Sequence, residues 1–244
     1  MSASIIETLR TGEPATKRRH AALELGTIKE AGLVPVLVEA LRVETDGRVR
    51  EDITWAIVQH ADEAEEALRA MIASDDPSDR FSGAHVISKI GDPKYFEAVL
   101  PLVLDEHKDT ALKAYRAAVN TGGAKAVDTL AQRLGHGDDW QRDALSDAFR
   151  KLHADGVPAL VEALKSDDAD VRDHAAETLG YLGEDAAGAV DALEAAAADE
   201  DPRVSLAAVS SLGQIGEAAA DALGRIAEGD DATLAALAKR HLSN

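Results

Sequence analysis

Asp170-Val171-Arg172-Asp173-His174-Ala175-Ala176-Glu177-Thr178-Leu179-Gly180-Tyr181-Leu182-Gly183 is the stretch that decides the fold. Its apolar residues Val171, Ala175, Leu179 and Leu182 recur at spacings of three and four, the period of an α-helix. A second copy runs from Val204 through Ala208, Leu212 and Ile215 to Gly216. Sliding the pattern back along the chain puts Leu25, Ile57, Ile87, Ala118 and Phe149 at the position of Leu179. Successive anchors lie 32, 30, 31, 31, 30 and 33 residues apart. One helix pair cannot bury its apolar stripe without a neighbour, so a fixed period of this length predicts stacked repeats. The expected fold is all-α, an α-α superhelix or solenoid of about seven helical hairpins with a C-terminal capping helix, formed by residues 1–244 as one continuous unit.

Each repeat reads as helix A, a short turn, helix B and an acidic turn. The helix B stripes are Leu37/Leu41, Leu68/Ile72, Leu100/Leu104, Leu130/Leu134, Leu160/Leu164, Leu193/Ala197 and Leu223/Ala227. Gly91, Gly122, Gly183 and Gly216 stand where helix A ends, where a left-handed residue is needed. Acidic turns such as Asp75-Asp76-Pro77 and Asp199-Glu200-Asp201-Pro202 supply caps for the next helix A. The pairs are placed at residues 14–42, 48–73, 78–105, 109–135, 140–165, 170–198 and 203–228, with the cap at 231–242 and a short extra helix or frayed end over 1–12. At about 10 Å per stacked pair, seven units would extend on the order of 70 Å.

Charge and composition narrow the function classes. The chain carries 45 acidic and 26 basic residues, a net −19, and only 3% of its residues are aromatic. The first 122 residues hold 21 acids and 15 bases, net −6; the remainder hold 24 and 11, net −13. Such a surface repels phosphate backbones and anionic lipid, so neither nucleic acid nor membrane is an expected partner. Cysteine is absent, which excludes disulfides, thiolate metal sites and cysteine nucleophiles. Met1 to Glu7 lack a basic start leading into an apolar run, and no stretch approaches 18 apolar residues. The expectation is a cytoplasmic, monomeric protein.

The sequence lacks the common reaction signatures. None of the eight histidines forms H-E-x-x-H or a helical pair three or four residues apart. Neither G-x-x-x-x-G-K-[ST] nor G-x-S-x-G occurs. His136-Gly137-Asp138-Asp139 has cation-binding residue types but falls where each repeat has an acidic cap. Catalytic, cofactor and metal residues are therefore all expected to be none.

The pattern D-x-x-V-R-x-x-A-A-x-x-L-G-x-L/I-G resembles the short HEAT-like repeats named after phycobilisome lyases, over roughly residues 14–228. The resemblance implies that the Arg after Val is a ladder residue bonding neighbouring turns, here Arg18, Arg50, Arg80, Arg142 and Arg172, with Ala111 and Ser205 departing. It implies a concave surface lined by helix B, and functions that range over lyase subunits, hydroxylases, DNA-repair proteins and adaptors. The hydroxylases of this fold bind iron through His-Glu dipeptides, which this chain lacks. A DNA glycosylase needs a basic face with aromatics, and Trp140-Gln141-Arg142-Asp143 supplies such residues only once.

The function expected on this basis is a non-catalytic scaffold or adaptor holding a protein or peptide partner along the concave helix B face. The alternative is an accessory subunit of a chromophore lyase or other protein-modifying enzyme; a DNA-repair glycosylase ranks behind both. Candidate partner-binding residues on helix B and its flanking turns are Arg42, Arg69, Lys94, Gln132 and Lys165. Trp55 and Tyr181 join them because they are large aromatics in helix A columns that are otherwise mostly polar, and aromatics dominate interface hot spots.

Overall fold

A computed structural model describes residues 2–243, and among these residues there is no β-strand. Two compact units divide the chain, residues 1–121 and residues 122–244. The first holds α1 (Ser2–Thr11), α2 (Ala15–Thr27), α3 (Leu33–Val43), α4 (Gly47–Gln59), α5 (Glu65–Ile72), α6 (Pro77–Ile90), α7 (Phe96–Val99) and α8 (Lys108–Gly122), whose last residue falls in the second unit. The second continues with α9 (Val127–Ala131), α10 (Asp139–Leu152), α11 (Val157–Ala163), α12 (Ala169–Leu182), α13 (Val190–Ala196), α14 (Pro202–Ile215), α15 (Ala220–Ala227) and α16 (Ala232–Leu242). Short 3₁₀ turns such as Gly183–Ala189 lead from helix A into helix B in the later repeats.

Packing follows the repeat. The seven anchors, Leu25, Ile57, Ile87, Ala118, Phe149, Leu179 and Leu212, are all 0% exposed. Each sits in a helix A, and these helices lie side by side: α2 on α4 and α4 on α6 in the first unit, α10 on α12 and α12 on α14 in the second. Removing a buried leucine side chain from such a core costs about 2–5 kcal/mol, which is why one apolar column can hold the helices in register. Helix α1 covers the outer side of α2, and α16 covers α14 and α15. No helix among the described residues is long and apolar enough to cross a membrane.

The acidic turns cap helix A as their residue types dictate. Side chains of Asp46, Asp76, Asp138, Asp168, Asp201 and Asp231 each accept a bond from a backbone N–H of the helix that follows. Each such cap is worth about 1 kcal/mol. Asp138 and Gln141 form a full capping box, so the acids of His136-Gly137-Asp138-Asp139 start α10, and His136 Nδ1 faces the Leu134 carbonyl at 2.8 Å.

Two local expectations are corrected. Gly122 has φ −121°, and the left-handed residue of that turn is Gly123 at φ +54°. In the third repeat Pro101 removes a backbone donor, so helix B is only α7 followed by a 3₁₀ turn over Leu100–Leu104. That change of winding rotates Leu104 out to 44% exposure and brings Val99 and Val103 inside instead.

The arginine ladder is built from two consecutive turns. Arg80 Nη1 donates to the carbonyls of Ser74 and Asp75, before its own helix, while Nε and Nη2 grip Asp105, after helix B, at 2.7 and 3.0 Å. Arg172 does the same with Ser166, Asp167 and Asp199, and Arg18 with Gly12 and Glu44. Arg50 Nη1 holds only the preceding segment, through the Leu41 and Glu44 carbonyls, and Nη2 donates to Ser82 Oγ. Arg142 departs further, bonding Asp173 and Glu177 on α12.

Candidate functional site

The helix B cations expected to meet a partner already have partners inside the chain. Arg42 Nε and Nη2 hold both Asp79 carboxylate oxygens at 2.9–3.2 Å. Arg69 bonds Glu65 at 2.9 Å and the Lys94 carbonyl at 2.8 Å, and Lys94 lies 3.4 Å from Glu65 and 3.6 Å from Asp92. The structure therefore brings Arg69 and Lys94 together: both cations lie over the Tyr95 ring, at 5.7 and 5.2 Å from its centroid. In the second unit Lys165 pairs with Glu162 at 2.7 Å, and Gln132 Nε2 donates to the Asp128 carbonyl at 3.3 Å.

The helix A columns behave differently. Trp55 on α4 is 39% exposed, and its indole lies across Gly26 of α2, where a methyl group would overlap the ring. Tyr181 on α12, one turn further along the same helix face in its own repeat, is 55% exposed. Trp140 is exposed as well, whereas Gln141 and Arg142 beside it are engaged in the capping box and the Asp173 pair.

One helical turn before Trp55, a cleft of about 160 Å³ opens between α4, α6 and α8. Glu51, Phe81, His85 and Lys113 carry its chemistry. His85 Nε2–H donates to Glu51 Oε1 at 2.7 Å, and Lys89 reaches the other carboxylate oxygen at 3.7 Å. Phe81 stacks on His85 with ring centroids 6.4 Å apart, and Lys113 lies 5.3 Å over the Phe81 face. Burial, then the Lys113 charge, pushes the His85 imidazole below its ordinary range, so it is neutral at pH 7 despite Glu51. Burial likewise lowers Lys113, and the neighbouring Lys89 and Arg116 lower it further against the opposing pull of Glu51. Burial pushes the Glu51 carboxyl up, but His85, Lys89 and Lys113 together bring it below its usual value. The result is a patch with more cations than carboxylates on a strongly acidic protein.

Sequence reasoning assigned none of Glu51, Phe81, His85, Lys89 and Lys113 to a site. The available signal was Phe81 four residues before His85 and Glu51 four before Trp55, each pair on one helix face.

A second cluster is structural. His174 is fully enclosed in the second unit: Nδ1 accepts the Gly135 N–H at 3.0 Å, and Nε2–H faces the Arg142 carbonyl at 3.1 Å and Ser146 Oγ at 3.2 Å. Burial, reinforced by Arg142, pulls its pKa down to about 4. His20, its counterpart in the first repeat, is exposed. Among the described residues no group of three or more His, Cys, Asp or Glu is arranged to hold a metal ion.

Tandem helical hairpins, capped by aspartates and tied by arginines, define a class of repeat protein, and comparison with known families agrees. The HEAT-repeat pattern matches residues 2–85, 65–150 and 157–243, so the chain belongs to the HEAT-repeat family. No curated protein matches it. Among solved structures it is similar to Kap95p bound to RanGDP, with TM-score 0.64, 11% identity, and 99% of this chain against 40% of that one. Importin beta gives TM-score 0.60 at 13% identity, with 99% and 42% covered. The complex of CpcE and CpcF of phycocyanin lyase from Nostoc sp. PCC7120 gives 0.46 at 19%, with 100% and 94% covered. At these identities the likeness is one of fold alone.

Proposed function

We propose that the chain is a non-catalytic HEAT-repeat scaffold that binds a protein or peptide partner through the outward face of α4 and α6 in the first unit. The observation that carries this is Trp55: an aromatic laid on a glycine shelf and left partly exposed, one turn from a cleft in which the Lys113 ammonium rests on the Phe81 ring. A rigid, pre-positioned aromatic beside a charged pocket is the arrangement that concentrates binding energy in an interface. The helix B side supports the same scaffold role less well, because a partner's carboxylate would have to displace Asp79 from Arg42 or Glu65 from Arg69 and Lys94. Quantitative affinity capture from the source cell tests the assignment. Trp55→Ala should lose the specific partner while Arg42→Glu with Arg69→Glu keeps it, all variants retaining wild-type circular dichroism. The opposite pattern would return the binding surface to helix B.

A further inference from the structure

Resting on that assignment, we propose that the cleft between α4, α6 and α8 receives a single carboxylate side chain of the partner, an aspartate or glutamate with an apolar neighbour, and holds it against Lys113.

Four cationic or titratable groups stand against two carboxylates, and with His85 neutral the balance is one surplus cation. From α6 come His85 and Lys89 and from α8 Lys113 and Arg116; the negative charges facing them are Glu51 of α4 and Asp109, four residues before Lys113 on α8. Glu51 is shared between His85 and Lys89, whereas the Lys113 ammonium meets the Phe81 ring. A cation resting on an aromatic face in a half-buried cleft keeps hydrogen-bond donors available, because the ring satisfies charge but accepts no strong bond. The neighbouring Arg50 is already engaged by Leu41, Glu44 and Ser82, so it fixes the wall and leaves Lys113 as the available donor.

Size and charge select the ligand. A space of about 160 Å³ accommodates one side chain and not a nucleotide or a helix. A monoanion balances the surplus cation, whereas a phosphate dianion would be brought close to the Glu51 carboxylate and repelled. Trp55, one turn further along α4, offers an apolar contact for the residue beside the acid. Desolvation inside the cleft makes such a charge-assisted bond stronger than one on the open surface.

The test uses the full chain with a capped pentapeptide carrying a central glutamate flanked by leucines, and the same peptide with glutamine. Binding is followed by the His85 imidazole NMR signals and by Trp55 fluorescence. The glutamate peptide should saturate both signals and bind at least tenfold more tightly than the glutamine peptide. Lys113→Met should remove that tenfold preference, and Lys113→Arg should restore most of it, with thermal midpoints near wild type. Equal binding of both peptides, or an unchanged preference in Lys113→Met, overturns the carboxylate assignment. If the peptides bind as expected but Trp55→Ala still captures the cellular partner, it is the scaffold assignment of this face that falls; if Trp55→Ala loses the partner while the glutamate peptide leaves His85 unmoved, only the carboxylate pocket falls.

Discussion

His153 occupies the backbone position that Gly183 and Gly216 fill in the later repeats. Its φ is +51° with ψ −137°, a conformation that a side chain resists. The exposed contact from Nδ1 to Asp185 at 2.7 Å recovers little of that strain. His153→Gly should therefore raise stability by about 1 kcal/mol, read as a rise of roughly 2–4 °C in the thermal midpoint. Tyr95 presents the converse case, since its ring is fully buried and its hydroxyl has no hydrogen-bond partner. Tyr95→Phe removes an unsatisfied group and should leave stability unchanged or increase it by up to about 1 kcal/mol in denaturant unfolding. A clear loss would mean that the hydroxyl is bonded. At this scale the sequence was partly informative: the glycine column marks the left-handed turns at Gly91, Gly183 and Gly216 but not the one at His153, and the displacement from Gly122 to Gly123 depends on where α8 stops winding. His60 and Thr121, which break the apolar pattern, are both buried and bonded to carbonyls, of Leu25 and of Ala117, so their polarity is accommodated locally.

Between elements, the arginine clamps and the aspartate caps set how one hairpin follows another. The Arg172–Asp199 pair has side chains only 11% and 12% exposed, and Arg172 also satisfies two turn carbonyls. Arg172→Ala leaves the buried Asp199 carboxylate with only the Asp201 N–H and those carbonyls without their guanidinium donor, and should cost about 3 kcal/mol. Arg203, paired with Asp170 and Asp201 on the open surface, is the control, and Arg203→Ala should lower the thermal midpoint clearly less than Arg172→Ala does. Equal effects would deny the clamp its role. The clamp was legible as a repeated Arg, yet its geometry was not, because the gripped acid lies 25 to 27 residues downstream and the spacing varies with the length of helix B. Helix α7 shows the same limit: the Leu100/Leu104 stripe matches helix B, and Pro101 alone changes which residues face inward.

Across the whole molecule, pH acts through groups that both units bury. The hydrogen bonds from Arg18 and Arg172 hold Glu44 and Asp199 below the ordinary carboxylate range; burial pushes Asp105 up, but Arg80 and the His107 N–H outweigh it. Folded-state values below the unfolded ones mean that this stabilisation is complete above about pH 5 and lost progressively on further acidification. His174 adds an earlier loss of the same sign, because the folded state excludes a proton that the unfolded chain accepts. Its contribution declines as pH falls from about 6.5 to 4, by on the order of 3 kcal/mol at most. Thermal midpoints should fall through that window, with the His174 imidazole still neutral by NMR at pH 5.5. A protonated His174 at that pH would contradict the buried network.

The fold was legible because one apolar column recurs at every repeat and every copy of it is buried. The cleft was not, since Glu51, His85 and Lys113 occupy different columns of three repeats and meet only through helix packing. What the chain does depends on which helix face a partner covers. Site-specific photo-cross-linking in the source cell, with the reactive residue in place of Lys89 on the outward face of α6 or in place of Arg69 on α5, decides this most directly. A discrete adduct from position 89 and none from position 69 is the expected result. An adduct from position 69 alone would contradict the assignment of the outward helix A face.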